Sequence, residues 1–341
     1  MNDTRRAVLE ALADGPVTGP ALADRLGVSR NAVWKHVEAL RDAGFEVASG
    51  DDGYALAGTP EYGGPAVEYG LDAPFEVEYH DAVGSTNDRA RELAAEGAAD
   101  VAVLADEQTG GRGRLDREWS APPGGVYLSA VLRPDLPPAH APALTLAAAV
   151  ATTDAAREAG VPAEIKWPND VLVSEANEST SEPRSDDVLV PVDSDGDVTP
   201  GDEATDRGGR KLAGILTEME GEADRVSWVV VGIGVNANIP ADDLPAGATS
   251  IEGEVGGIDR RAFVQRLLER FDELRADPEA AVEAWRERAA TLGERVRVET
   301  PNREIVGEAV DVAFPGALVV ETDDGERARI HAGDCEHLRP A

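Results

Sequence analysis

Apolar side chains recur every three or four positions in three short segments at the start of the chain. This spacing predicts three helices, which end near Gly15, Gly27 and Gly44, and Ser29 is placed to cap the third. Two short apolar runs on either side of Asp51–Gly53 follow, and they predict a β-hairpin. Residues 1–59 therefore have the layout of a winged helix-turn-helix domain, in which the later helix enters the major groove of DNA.

The third predicted helix has an apolar face and a polar face, and the polar face carries the candidate DNA contacts. These candidates are Ser29, Arg30, Asn31, Trp34 and Lys35. Acidic residues outnumber basic residues within 1–59, yet this face is locally basic. A winged helix can also serve as a protein-interaction module or persist as a remnant, and the sequence leaves that alternative open.

The middle of the chain begins after a stretch of Gly, Pro and Tyr, residues 60–74, which predicts a linker with few contacts. Beyond the linker, apolar runs alternate with amphipathic segments. The predicted strands are 75–79, 101–106, 126–132, 163–166, 170–173, 211–219 and 226–236, and the predicted helices are 86–97, 142–159, 260–275 and 278–291. This order predicts an α+β domain over 75–291, with one large mixed sheet and helices against it.

Two further segments differ in composition from the rest of the chain. Residues 174–210 are rich in Ser, Asp, Glu, Gly and Pro, which predicts a disordered, solvated insertion between two strands of the large domain. Residues 292–341 alternate Val with charged residues around a turn at Asp323–Gly325, which predicts a small β-barrel.

The balance of charge narrows the choice of function. The chain of 341 residues has a formal net charge of −34, with 29 arginines and only three lysines, Lys35, Lys166 and Lys211. Such a chain is not a general binder of polyanions, because affinity for nucleic acid comes largely from neutralising phosphates. The composition resembles that of cytosolic proteins from salt-accumulating archaea. Molar salt shortens the screening length to about 3 Å, so the repulsion among so many acidic residues becomes tolerable. An acidic protein of ordinary cytosol is the alternative.

Other residue types bear on compartment and metal binding. A single cysteine excludes a disulfide framework and a multi-cysteine metal site. No secretory signal or membrane-spanning run is visible, so we expect a cytoplasmic protein without a membrane partner. A cluster near the end of the chain could suggest a metal, but a structural zinc site needs four closed ligands, and we expect no metal there. Its members are His331, Asp334, Cys335 and His337.

Four groups of residues are suited to binding an anion or a nucleotide. Gly110–Arg114 combines three glycines, whose N–H groups can turn toward an anion, with two arginines, although a plain surface loop is the alternative. Ser85–Asn87 precedes a predicted helix, where serine is also an ordinary cap. Lys166–Asp170 ends in Asn169 and Asp170, whose side-chain oxygens suit Mg²⁺, although the segment can also be a tight turn between strands. Lys211 opens an apolar strand, where it is a good anion contact, and Gly232–Asn236 lies on the next strand.

The order of these motifs resembles that of the biotin–protein ligases. The patterns are Ser-Thr-Asn, Gln-x-x-Gly-Arg-Gly-Arg, Lys-Trp-Pro-Asn-Asp, Lys-Leu-Ala-Gly-Ile-Leu and Gly-Ile-Gly-x-Asn. With the N-terminal winged helix, the chain resembles the bifunctional members, which are both biotin ligase and biotin operon repressor. The resemblance covers nearly the whole chain except the insertion at 174–210, and it implies a class II synthetase-like catalytic domain and an SH3-like C-terminal barrel.

The resemblance implies a reaction in two steps and a role for each matching residue. Biotin and ATP with Mg²⁺ form biotinyl-5′-adenylate, and a lysine of a biotin carboxyl carrier domain then attacks it. Lys211, Arg112 and Arg114 are the implied catalytic cations, because charge builds on the α-phosphate. The implied biotin-binding residues are Ser85, Thr86, Asn87, Gln108, Arg112, Gly113, Arg114 and Lys211. The implied ATP or adenylate residues are Gly111, Arg114, Trp119, Asn169, Asp170, Lys211 and Asn236, with Asn169 and Asp170 also matched to Mg²⁺.

Two positions depart from the family pattern. Asp116 stands where the family loop often has glycine, and Trp34 stands on the recognition face where a small or polar residue is expected. The resemblance also implies operator DNA and a ligand-dependent homodimer. The alternatives are a ligase whose winged helix no longer regulates transcription, and a regulator or lipoate-type acyltransferase of the same general fold, which the motifs disfavour.

Overall fold

Three helices and a β-hairpin form the N-terminal part of the computed structural model, which describes residues 1–174 and 208–338. The elements are α1 (Asp3–Ala13), α2 (Gly19–Leu26), α3 (Arg30–Asp42), β1 (Glu46–Gly50) and β2 (Gly53–Gly58). Each helix begins at a side chain that accepts a backbone N–H, as expected for a helix cap; these side chains are Asn2, Thr18 and Ser29. The predicted winged helix-turn-helix architecture is confirmed.

The segment after the hairpin is not the sparsely contacting linker that its composition predicted. It contains α4 (Gly64–Glu68), which has Pro65 in its first turn, buries Ala66 and packs Val67 into the central core. The Glu68 carboxylate is also buried, and it accepts the Val77 N–H at 2.9 Å and pairs with the amino group of Met1. A helix of five residues is too short to show a repeating apolar pattern, so the Gly, Pro and Tyr content of the segment predicted a loop instead.

A seven-stranded mixed sheet forms the centre of the molecule. Its strands are β3 (Glu76–Val83), β4 (Val101–Gln108), β5 (Val126–Leu132), β6 (Ala163–Lys166), β7 (Asp170–Val173), β8 (Arg210–Gly221) and β9 (Val226–Val235). The strand order is β3-β4-β5-β9-β8-β7-β6, and only β3 and β4 run parallel to each other. The predicted strands are present, and several extend beyond their predicted ends.

Helices cover both faces of this sheet. They are α5 (Thr86–Ala95), α6 (Pro142–Glu158), α7 (Ile251–Val255), α8 (Arg260–Ala276) and α9 (Pro278–Arg286), so the last helix is shorter than the predicted 278–291. The alanine-rich α6 is buried along most of its length, as its composition indicated. None of the helices in the described ranges combines the length and apolarity needed to cross a membrane.

A five-stranded antiparallel sheet follows the central domain. It contains β10 (Arg295–Glu299), β11 (Glu304–Ala313), β12 (Ala317–Thr322), β13 (Arg327–Ile330) and β14 (Asp334–His337), in the order β13-β12-β11-β10-β14. This agrees with the predicted small β-barrel. The predicted disordered insertion falls almost wholly at 175–207, outside the described residues, and its flanking strands pair antiparallel through Val173 and Arg210.

Candidate functional site

The N-terminus of α5 and the neighbouring strands form a buried polar cluster. The Thr86 N–H and hydroxyl both donate to Gln108 Oε1, at 2.8 and 3.1 Å. Ser129 Oγ, from the middle of β5, lies 2.8 Å from Thr86 Oγ1 and 2.6 Å from Asn87 Oδ1. Buried polar groups are costly unless they are hydrogen-bonded, so these side chains hold one another in fixed positions.

Asn87 connects this cluster to β8 and β9. Its Nδ2 donates to Glu218 Oε2 at 2.8 Å, and a Cβ on Gly232 would come within 2.1 Å of its Oδ1. Gly232, the first glycine of the Gly-Ile-Gly-x-Asn motif, therefore makes room for the asparagine of the Ser-Thr-Asn motif. The two motifs, more than 140 residues apart in sequence, are in contact here.

Sequence reasoning missed Ser129 and Glu218. Ser129 lies in the buried strand Val126–Leu132, where Tyr127 carries the other hydroxyl, and Ser129 is 0% exposed. A serine hydroxyl in a buried strand needs a partner, which is the signal that could have found it. Glu218 follows the ordinary alternation of its strand, and nothing in the sequence singles it out.

The glycine-arginine loop folds back on itself more than the sequence predicted. The Gly110 N–H donates to Gly84 O at 2.8 Å, and the Gly113 N–H donates to Arg117 O at 2.7 Å. These two N–H groups are therefore not turned toward an anion. Leu115, at the tip, has a φ of 56° and is exposed. The Asp116 side chain, which departs from the family pattern, lies outside the described residues.

The arginines of this loop point in different directions. Arg112 pairs with Asp88 at the start of α5. Arg114 donates to Asn169 Oδ1 at 3.2 Å and to Gly333 O at 2.8 Å, so it joins the loop to the C-terminal domain. Each candidate catalytic arginine thus already has a hydrogen-bond acceptor.

A second cluster forms where β7, β8 and β9 meet the end of the loop. Lys211 Nζ lies 2.7 Å from Asp170 Oδ1 and 5.3 Å from the centroid of the Trp119 ring. The indole packs against two glycines, since a Cβ on Gly214 or Gly234 would come within 3.1 or 2.9 Å of it. Trp119 Nε1 is buried and has no hydrogen-bond partner among the described residues, so it is a donor suited to a ligand.

A cleft runs beside this aromatic ring. Its volume is about 250 Å³, and residues 107–111 and 118–122 line it. Gln108, Gly111 and Trp119, all predicted from the sequence, are among the lining residues. The cleft thus shares one lining residue with each cluster, Gln108 with the buried polar cluster and Trp119 with the Lys211 cluster.

Two predicted nucleotide contacts hold the backbone instead. Asn236 is buried, and its Nδ2 donates to Thr249 O at 2.9 Å and to Lys211 O at 3.3 Å. Asn169 Nδ2 donates to Ile215 O at 2.8 Å. Both amides fix the strands that carry Lys211 and Asp170. Ser85 likewise acts as the cap of α5, with its Oγ 3.4 Å from the Asp88 nitrogen.

The remaining lysine of the pocket motifs lies apart from these clusters. Lys166 is buried, and its charge acts on Cys335 and His337 of β14. Burial raises the pKa of the Cys335 thiol to about 12, and burial together with Lys166 lowers the pKa of His337 to about 4. Within the described residues, no three His, Cys, Asp or Glu side chains converge as metal ligands.

The candidate DNA contacts share one surface of the N-terminal domain. Ser29, Arg30, Asn31, Trp34 and Lys35 are all exposed on α3, whose opposite face is buried. The Trp34 side chain is 51% exposed. The polar face predicted from the sequence is therefore accessible along its length.

Comparisons with known proteins identify the family. Residues 81–236 match the model of the biotin/lipoate A/B protein ligase family, 291–338 match the biotin protein ligase C-terminal domain, and 4–55 match a helix-turn-helix domain. The bifunctional ligase/repressor BirA of Bacillus subtilis is 35% identical over 340 residues, which cover 94% of this chain and 93% of that protein. The chain belongs to the biotin protein ligase family. The resemblance inferred from the motifs is confirmed.

Two further relatives agree with this assignment. The biotin–[acetyl-CoA-carboxylase] ligase of Paracoccus denitrificans is 34% identical and covers 71% of this chain and 93% of its own length. The biotin protein ligase of Aquifex aeolicus, solved with biotin and ATP, has a TM-score of 0.57 at 24% identity and covers 77% of this chain and 99% of its own. The similarity to the Aquifex aeolicus structure shows that the two proteins share a fold.

Proposed function

We propose that this biotin protein ligase activates biotin with ATP and transfers it to a lysine of a biotin carboxyl carrier domain. The observation that carries the proposal is that one cleft is lined by a member of each of two clusters, Gln108 of the buried polar cluster and Trp119 of the Lys211 cluster. One cluster is polar, buried and suited to a small neutral head group, and the other presents a lysine under an aromatic ring. A short acid that bridges the two would bring its carboxylate to the cations.

The buried cluster suits the ureido ring of biotin. That ring offers two N–H donors and one carbonyl acceptor. Thr86, Asn87, Gln108 and Ser129 present oxygens and an amide at fixed positions, and their mutual hydrogen bonds preorganise them. Ser129 is thereby added to the residues that the family resemblance implied.

The cations suit the first step of the reaction. A biotin carboxylate oxygen attacks the α-phosphorus of ATP, the bond from that phosphorus to the pyrophosphate oxygen breaks, and pyrophosphate leaves. Lys211 and Arg112 stabilise the negative charge that develops on the phosphoryl oxygens, and Arg114 supports the loop from the side of Asn169. Trp119 offers the adenine a flat ring and an indole N–H that has no partner among the described residues.

The second step needs a neutral amine from the carrier. That amine attacks the carbonyl carbon of the mixed anhydride, an amide forms, and AMP leaves with the bonding electrons. Asp170, which pairs with Lys211, is placed to accept the proton that the amine loses as its nitrogen bonds the carbonyl carbon. No covalent intermediate on the enzyme is required.

Magnesium enters with ATP as its phosphate-bound counter-ion. The residues first matched to Mg²⁺ do not fit a cation site in this structure, because the Asn169 oxygen faces Arg114 and the Asp170 oxygen faces Lys211. A cation between them would meet two positive charges. We therefore assign no Mg²⁺ ligand to these side chains and derive no step through the ion.

The exposed face of α3 supports a second activity, the repression of transcription through operator DNA. Arg30 and Lys35 lie on that face and can contact phosphates, while Trp34 and Asn31 can reach base edges. A ligase without a regulatory role is the alternative. A biotin-dependent footprint upstream of biotin genes that is lost in an Arg30→Ala/Lys35→Ala variant supports the repressor, and the absence of any footprint refutes it.

We infer the working conditions from the charge and from the resemblance. A net charge of −34 and a near absence of lysine support function in the cytoplasm at molar salt, where self-repulsion is screened. The resemblance supports a ligand-dependent homodimer through the central sheet, whose edge strands are β3 and β6. Sedimentation with and without biotin and ATP tests the dimer, and activity that falls as KCl rises contradicts the salt assignment.

Transfer of labelled biotin tests the proposed ligase directly. In high KCl, the wild type should label a carboxyl carrier domain only when ATP is present. A variant of the carrier that lacks the acceptor lysine should stay unlabelled. Folded wild-type protein that transfers no biotin to any carrier domain offered would refute the proposal.

A further inference from the structure

Asp88 is a charged neighbour of the glycine-arginine loop that no motif assigned. It lies in the first turn of α5, directly after Asn87, and its Oδ1 accepts hydrogen bonds from both Arg112 and Arg91. The side chains of Asp88 and Arg112 are 43% and 41% exposed. The guanidinium that faces the reacting phosphate in the proposed function is therefore held by a carboxylate of the protein.

This ion pair belongs to a continuous network. Arg91 also donates to Glu218 Oε1 at 3.2 Å, and Glu218 Oε2 accepts from Asn87 Nδ2 at 2.8 Å. Two carboxylates and two guanidinium groups thus alternate between the loop and the buried polar cluster. If Arg112 moves away, Asp88 keeps Arg91 as its partner, so the Asp88 carboxylate still has a counter-ion.

We propose that Asp88 is a positioning residue that restrains Arg112 until an anionic substrate displaces it. The proposal rests on the proposed adenylation function, in which Arg112 serves the biotin carboxylate and the α-phosphate. The Arg112 N–H that bonds Asp88 is not free for the substrate, so a substrate that takes that N–H exchanges one counter-ion for another. Asp88 therefore lowers the affinity of the free enzyme for biotin and does not contribute to the chemical step.

Removing the charge of Asp88 tests the restraint. In Asp88→Asn, the Kd of biotin measured by calorimetry should fall about two- to fivefold, the range expected for a partly exposed ion pair. The KM for biotin should fall with it, while kcat for pyrophosphate release stays the same. Asp88→Glu should restore the wild-type Kd. Glu92→Gln is the matched control, because Glu92 lies on the same helix and pairs with Arg89 instead of Arg112.

A double-mutant cycle separates this proposal from the proposed function. Arg112→Gln should weaken biotin binding, and Asp88→Asn should have no further effect in that background. If Arg112→Gln weakens binding but Asp88→Asn leaves the Kd unchanged or raises it, the restraint is refuted and the function stands. If Arg112→Gln changes neither binding nor pyrophosphate release, the role of Arg112 in the proposed function is refuted.

A second variant guards against loss of folding, and the dependence on salt tests whether the restraint is ionic. Asp88 is three residues after the capping Ser85, a position that also accepts glutamine, so Asp88→Gln serves if Asp88→Asn unfolds. The affinity gap between wild type and variant should also narrow as KCl rises, because salt screens an exposed pair. A gap that does not change with the KCl concentration contradicts an ionic restraint.

Discussion

The Lys211 ammonium lies between the Asp170 carboxylate, at 2.7 Å, and the ring of Trp119, whose centroid is 5.3 Å away. Residues of two separate motifs meet here with Trp119, which lies outside the motifs. The carboxylate neutralises the lysine in the absence of substrate, and the ring stands over the strand that carries it. The proposed adenylation step depends on Lys211, and the proposed transfer step depends on Asp170.

Asp170→Asn should separate the two steps. The variant keeps the size of the side chain but cannot accept the proton of the attacking amine. Transfer from preformed biotinyl-5′-AMP should slow by roughly 100-fold, the lower end for the loss of a general base, while pyrophosphate release changes much less. Single-turnover transfer to a carrier domain measures the effect. An equal loss in both steps would assign Asp170 to holding Lys211 alone.

Gly234→Ala should weaken the binding of ATP more than that of biotin. The new methyl group would lie 2.9 Å from the Trp119 indole, so the ring must move away from the strand. We expect the KM for ATP to rise on the order of tenfold, equivalent to about 1.4 kcal/mol. Gly50→Ala is the control, because nothing lies within 4 Å of its Cβ. An unchanged KM for ATP would remove Trp119 from the adenine site.

Ser129→Ala should lower both biotin affinity and stability. Asn87 Oδ1 loses the hydroxyl at 2.6 Å, and a buried group left without a partner costs about 1–3 kcal/mol. Calorimetric titration with biotin and urea unfolding measure the two effects. Thr152→Ala also removes a buried hydroxyl, but one that bonds Ala148 O within α6, so it should lower stability alone. Equal biotin affinities in the two variants would contradict the assignment of Ser129.

His337 should make the protein less stable as the pH falls. Its pKa is lowered to about 4 in the folded state by burial and by Lys166, so the unfolded chain binds the proton first. Stability from this group is complete above about pH 6.5 and is lost between there and pH 4. Between pH 7 and pH 5, the free energy of unfolding of the wild type should fall by about 2 kcal/mol more than that of His337→Gln. Identical slopes in urea unfolding would contradict the burial of a neutral imidazole.

The elements of the fold follow from local patterns more readily than the partners within the site do. The apolar face of α3 and the buried α6 are visible in the spacing and composition of their own residues. Ser29 and Ser85 are recognisable as caps because a cap bonds a backbone N–H three residues away. The linker helix was missed because its stability comes from burial of Val67 against a distant core.

The contacts within the site could not be predicted from local patterns either. The motifs identified Lys211 and Asn87, and the family resemblance identified Trp119, but the partners of these residues lie on other elements. Ser129 and Glu218 meet Asn87 only once β5 and β8 have paired with β9, so their roles depend on long-range register. The directions of Arg112 and Arg114 also depend on acceptors from α5 and the C-terminal domain. A sequence shows which residues have suitable chemistry, and the topology determines which of them meet.

Pyrophosphate release tests the central claim most directly. Wild-type protein, Lys211→Ala and Arg327→Ala would be assayed with biotin and ATP in molar KCl; Arg327 pairs with Glu321 on the surface of the C-terminal sheet and serves as the control. The account predicts biotin-dependent release by the wild type and the control, and a loss of about 100-fold or more in Lys211→Ala. Normal pyrophosphate release by folded Lys211→Ala would contradict it.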